Sequence, residues 1–182
     1  MLGDFGNDFT FLFAQMYLMV FCTDVLGIGA GVVGVLLMTA RIVDAFTDTA
    51  MGRICDIAKP TKDGRFRVWI KRMAVPMGLS SMLIYMFWVR DFPLTLRIVW
   101  VFVTYILWGS FFYTACNIPY GSMASVITND SRERSSLSVF RTIGAVLAGM
   151  SIGMITPQLV YRANEAGQQV IIPERVTLVA VI

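Results

Sequence analysis

Three charged side chains, Arg41, Asp44 and Asp48, interrupt the otherwise apolar stretch from Ile28 to Gly52. Their three-then-four spacing places them on a single stripe of an α-helix, which advances about 100° per residue. A charge at the centre of a bilayer costs roughly 2.5–3.5 kcal/mol on insertion scales, so the stripe must face a partner or a water-filled cavity. An Arg41–Asp44 pair would cancel its own cost, but Asp48 is a second carboxylate beyond what neutralising Arg41 requires. Carboxylates on a membrane helix suit either a catalytic metal or a transported ion, and the stripe alone does not choose between them.

The elements that must carry this stripe are long and apolar. Hydrophobic residues make up 57% of the chain and charged residues 15%, a composition outside the range of soluble domains and expected of an integral membrane protein. The net charge is +3 and the basic residues cluster between apolar runs, as topology signals do, so a nucleic-acid surface is not expected. There is no histidine, and Cys22, Cys55 and Cys116 have no paired spacing; they read as packing residues rather than metal ligands. Spans are expected at about 8–26, 28–52, 68–89, 96–126 and 137–161, with an apolar run at 176–182 too short to cross, as if truncated within a sixth helix. Arg53, Lys59, Lys62, Arg65 and Arg67 make the loop 53–67 cytoplasmic by the positive-inside rule. The second basic loop, around Arg132 and Arg134, lies an even number of crossings away, so the N-terminus is expected inside. No removable signal peptide is evident; the first span would serve as the insertion signal. Gly29, Gly31 and Gly34 are expected to admit a neighbouring helix, and Gly144, Gly149 and Gly153 form a second small-residue series.

The ordered series Gly3-Asp-Phe-Gly-Asn-Asp8-Phe, Tyr17-Leu-Met-Val-Phe-Cys-Thr23-Asp24-Val, Ala40-Arg-Ile-Val-Asp44-Ala-Phe-Thr-Asp48-Thr-Ala-Met-Gly52, Asp63-Gly-Arg65-Phe-Arg67-Val-Trp69 and Asn117-Ile-Pro119-Tyr120-Gly resembles the glycoside-pentoside-hexuronide:cation symporters. This is the branch of the major facilitator superfamily that includes the melibiose carriers. The resemblance runs from about Gly3 to Arg141. It implies an all-α transmembrane fold, the N-terminal six-helix half of a major facilitator, that would need a C-terminal six-helix half around a midplane site. The implied function is symport of a glycoside, pentoside or hexuronide with Na⁺ or H⁺ in a bacterial cell membrane, with no cofactor beyond the coupling ion and no enzyme activity.

By this resemblance Asp44 and Asp48 match the acidic pair that coordinates the coupling cation, with Thr47 and Thr114 as accompanying oxygen donors. Two carboxylates with hydroxyls suit a hard cation such as Na⁺, and a proton could use the same pair because two close carboxylates cannot both stay ionised cheaply. Asp8 matches the first-helix acid that binds sugar, its two oxygens suiting adjacent hydroxyls; the plain alternative is a helix cap near the start of the first span. Asn117 stands where melibiose carriers have a second sugar-binding acid, which puts galactoside specificity in doubt while leaving a glycoside site possible. Tyr113 and Tyr120 flank it and are the aromatics to test against sugar, the other fourth-helix rings reading as packing. Arg41 and Arg141 would balance charge. Gly52, Asp56, Gly64 and Arg65 resemble the signature loop of major facilitators, a conformational latch or a solvated topology signal. Two other classes compete. Asp44, Asp48, Gly52 and Asp56 recur every four residues, resembling a metal-dependent membrane phosphotransferase but in a different order; and the chain could be a membrane segment with no transport of its own.

Overall fold

The computed structural model describes residues 2–59, 64, 66–127, 130–163 and 169–181. Among them, seven α-helices follow one another: α1 Leu2–Val20, α2 Ala30–Ile57, α3 Arg67–Ile84, α4 Leu94–Ile106, α5 Thr114–Ile127, α6 Ser131–Val160 and α7 Pro173–Val181. Five stretches are long and apolar enough to cross a bilayer: Phe5–Val25, Ala30–Ile57, Arg67–Asp91, Leu94–Met123 and Arg132–Val160. Helices satisfy every backbone group internally, which hydrocarbon demands, so the protein is all-α and transmembrane. Between the expected span ending at 161 and the apolar run at 176–182, a short antiparallel pair forms, β1 Tyr161–Ala163 with β2 Gln169–Ile171.

The first helix differs from expectation at its start. It begins at Leu2 rather than near Asp8 and continues past Val20 into a π-helical turn at Phe21–Val25. Asp8 therefore lies well inside α1 and cannot cap it, because only the first turn has orphan N–H groups. The turn that follows needs Gly27, whose φ of +67° is left-handed. Arg97, in the first turn of α4, clamps this turn: Nη1 donates to the Leu26 carbonyl and Nε to the Phe92 carbonyl, each at 2.7 Å. Two carbonyls left over at helix ends are thereby satisfied by one charged side chain.

The core gathers near that clamp. Tyr85 stands edge-on to Phe13 and Phe21, with centroids at 5.0 and 5.3 Å, and Trp100 Nε1 donates to the Leu83 carbonyl at 3.0 Å. α1 packs along α6, and α3 along α5. The close approach between α1 and α6 comes at Gly149, where an added Cβ would meet Leu12 Cδ1 at 3.6 Å. Gly29, Gly31, Gly34 and Gly153 admit no neighbour: a Cβ at each would have no described atom within 4 Å.

On α2 the buried residues Val33, Leu36, Ala40, Met51 and Cys55 form one stripe. Asp44 and Asp48 continue it in steps of three or four, at the positions where the same stripe would bury apolar groups. The opposite face is apolar and open, with Met38 62% and Phe46 72% exposed, as suits lipid or another apolar surface. The ionic stripe thus points inward, at the bundle.

Candidate functional site

The carboxylates of α2 meet the chain that links α4 to α5, and there the backbone is not α-helical. Leu107–Tyr113 is π-helical, a geometry found mostly as short insertions at functional sites. Ser110 Oγ donates to Asp44 Oδ1 at 2.6 Å, and Thr114 Oγ1 donates to Asp48 Oδ1 at 2.8 Å. Both pairs are separated by 66 residues, so α2 and this segment run side by side in the same direction, with one rung every four residues. Arg41 Nη1 lies 3.4 Å from Asp44 Oδ2, its side chain 58% exposed against 23% for Asp44. Asp44 thus spends one oxygen on a hydroxyl and the other on a guanidinium. Asp48, among the described residues, accepts only from Thr114. One positive and two negative side chains leave the surplus charge nearer Asp48.

Thr47 does not join them. Its hydroxyl donates to the carbonyls of Val43 at 3.1 Å and Asp44 at 3.3 Å, the back-bond that a threonine within a helix readily makes to the preceding turn. The hydroxyls bonded to the acidic pair are therefore those of Ser110 and Thr114.

Above the carboxylates opens a cavity of about 340 Å³, bounded on one side by Arg41, Asp44 and Asp48 and on the other by Tyr105, Trp108, Tyr113 and Asn117. Its volume falls in the range of small-molecule sites, roughly 300–1,000 Å³. Tyr113 stacks on Phe11 with centroids at 5.2 Å and leans on Trp108 at 5.7 Å. Asn7 Nδ2 is 3.4 Å from both Tyr113 Oη and Asn117 Oδ1, tying α1 to this wall. Asp8 and Arg141 both lie within electrostatic reach of the Tyr113 phenol. Tyr120 stands apart from the cavity lining, with the Arg141 guanidinium 5.0 Å above its ring, a cation–π contact. Two buried polar atoms at this wall, Asn7 Oδ1 and Trp108 Nε1, have no partner among the described residues. Such orphans are costly unless something supplies the missing bond.

Of the residues matched to the signature loop, the described ones, Gly52, Asp56 and Gly64, do not line the cavity. Gly52 is half-buried on α2, Asp56 is exposed in its last turn, and Gly64 has a φ of +89°. Arg65 lies outside the described residues. Ser110, Asn7 and Trp108 are site residues that the sequence reading did not select. Ser110 precedes Thr114 by the same four residues that separate Asp44 from Asp48, which is a usable signal; Asn7 adjoins Asp8; nothing in the sequence sets Trp108 apart from its aromatic neighbours.

The profile of the MFS/sugar transport protein family matches residues 1–179. Over 149 residues the chain is 36% identical to the inner membrane symporter YicJ of Escherichia coli (strain K12), covering 82% of this chain and 32% of that protein. It is 34% identical over 155 residues to the glucuronide carrier protein homolog of Escherichia coli (strain K12), with 85% and 33% covered. It is 36% identical over 159 residues to the isoprimeverose transporter of Lactiplantibacillus pentosus, with 87% and 32% covered. The chain spans about a third of the length of these curated relatives.

Proposed function

Because the chain belongs to the MFS/sugar transport protein family, whose members are transporters and not enzymes, we propose that it forms the part of a sugar:cation symporter that carries the coupling-cation site and one wall of the sugar site. It is a multi-pass membrane protein; we place it in the cell membrane of a bacterium with its N-terminus in the cytoplasm, joined to a second helical bundle that closes the site. The observation that carries this reading is the pair of carboxylates, each held by a buried hydroxyl, at the edge of an aromatic cavity.

Asp44 and Asp48, with Thr114, offer oxygens to Na⁺ or, as a close acidic pair, a shared site to H⁺. The sugar would lie against Tyr113 and Trp108, its apolar ring face on an aromatic and its hydroxyls toward Asp8 and Asn117. Arg141 and Tyr120 would steady the far side of that wall. Cation and sugar would each raise the other's affinity by the same factor, and alternating access would carry both across. The signature-loop residues Gly52, Asp56, Gly64 and Arg65 would act in that movement rather than on either ligand.

The test is uptake of labelled glycosides, pentosides and hexuronides into membrane vesicles containing the full-length protein, under an imposed Na⁺ or H⁺ gradient. At least one sugar should accumulate when a gradient is present, and Asp48→Asn should abolish the gradient dependence. Accumulation indifferent to Asp48→Asn removes the cation assignment; no gradient-driven uptake of any panel member removes the symport reading.

A further inference from the structure

We propose that Ser110 is a positioning residue for the coupling cation: its buried hydroxyl fixes the orientation of Asp44, so that the acidic pair is set before the cation arrives. The inference rests on the reading that Asp44 and Asp48 bind that cation.

Ser110 is 1% exposed and stands behind Asp44 rather than on the cavity surface, so its partner is the carboxylate and not a ligand. The 2.6 Å distance lies in the range of O–H···O⁻ bonds to an ionised acceptor. A hydroxyl on a helix ordinarily returns to the carbonyl four residues back, and Thr39, Thr49, Thr104, Thr142 and Ser151 all do so here. Ser110 instead bonds across to α2. The local winding accounts for the difference. Ser110 lies within the π-helical turn and Thr114 directly follows it, finding the Gly109 carbonyl, five residues back, at 3.3 Å; with the four-residue return out of alignment, the hydroxyls of both rungs are turned toward α2.

Without Ser110, Asp44 would keep only Arg41, whose guanidinium is 3.4 Å away on a side chain 58% exposed. An aspartate with one loose partner samples several rotamers, and the cation would have to select the productive one. With Oδ1 pinned by Ser110, Oδ2 faces Arg41 and the spacing between the two carboxylates is fixed in advance. Preorganisation of this kind strengthens binding by removing an ordering cost, and it makes the site sensitive to ion size.

The experiment uses the full-length protein in vesicles, with a labelled glycoside that the unaltered protein accumulates, and titrates Na⁺, Li⁺ and H⁺ for half-maximal stimulation. Sugar binding is measured in parallel without a coupling cation. Ser110→Ala should raise the half-saturating concentration of the coupling cation about tenfold, the worth of one lost charge-assisted hydrogen bond, and change the preference between Na⁺ and Li⁺ if a metal ion is used. Cation-free sugar binding should be unchanged, and Ser110→Thr, which keeps the hydroxyl, should restore the original titration. An unaltered cation titration in Ser110→Ala overturns the inference. Equal loss of cation-free sugar binding also overturns it, since that marks a packing role. An unsubstituted protein that accumulates sugar with no response to any of the three cations refutes the symport reading itself, an outcome separable from the other two.

Discussion

Replacing Thr114 by valine removes one hydroxyl while keeping the branched shape of the side chain. That residue is 5% exposed, its Oγ1 donates to Asp48 Oδ1 at 2.8 Å, and its other acceptor, the Gly109 carbonyl, lies at 3.3 Å. A hydrogen bond to a charged group is worth about 1.5–3 kcal/mol net. Asp48 is exposed on its cavity side, so water replaces part of the loss, and about 1 kcal/mol remains, which is about fivefold in a binding constant. If the hydroxyl oxygen also touches the bound ion, a ligand is lost as well and the effect grows to about tenfold. The expected result of Thr114→Val is a five- to tenfold rise, on the order of these estimates, in the cation concentration that half-saturates sugar uptake. The maximal rate at saturating cation should be retained, and Thr114→Ser should behave as the unsubstituted protein. Vesicle uptake titrated with the coupling ion at fixed sugar reads this directly. A Thr114→Val titration that overlays the original, in a protein whose cation response is abolished by Asp48→Asn, would refute the reasoning, because the hydroxyl would then contribute nothing to the acid it bonds.

Two further outcomes follow from the same geometry. Thr47→Val should leave the cation titration unchanged, since that hydroxyl bonds the Val43 and Asp44 carbonyls rather than a carboxylate; a shift as large as that of Thr114→Val would return Thr47 to the ion site. Arg97→Leu should cost about 2 kcal/mol by freeing the Leu26 and Phe92 carbonyls, seen as a melting temperature lower by about 4–8 °C in detergent, and an unchanged melting temperature would show the clamp to be idle.

The acidic stripe of α2 was legible in the sequence because its three-then-four spacing is the period of the helix that carries it, and five long apolar runs leave little choice of fold. Thr114 was legible only through the resemblance. Thr47 is close to Asp44 and Asp48 in sequence, but a helical threonine can satisfy itself on the preceding turn, and its hydroxyl bonds the Val43 and Asp44 carbonyls instead. Ser110 carries one signal, the four-residue spacing to Thr114 that mirrors Asp44 to Asp48, but no propensity announces the π-helical turn that aims its hydroxyl at α2. The first span is expected from about residue 8, whereas α1 starts at Leu2, so Asn7 falls just outside the expected span and inside the helix that brings it to the wall. The role of Arg97 is not legible in the sequence because the Leu26 turn it holds is far away along the chain and meets it only in the folded bundle.

The π-helical turn at Leu107–Tyr113 has a consequence for how this protein can change. It acts as a phase shift within one membrane crossing: Tyr105 keeps the angular setting of α4, while Thr114 and Asn117 take that of α5. Deleting one residue between Leu107 and Tyr113 would either return the turn to regular α-helical winding, giving the Ser110 and Thr114 hydroxyls the four-residue return to their own helix, or keep the wide turn and rotate one portion against the other by about 100°. Either the aromatic wall or the hydroxyl rungs would then leave the cavity. The crossing would still be long enough for the bilayer, so the length of this segment is held by angle and not by reach, and a one-residue deletion here should be far more damaging than one in a loop.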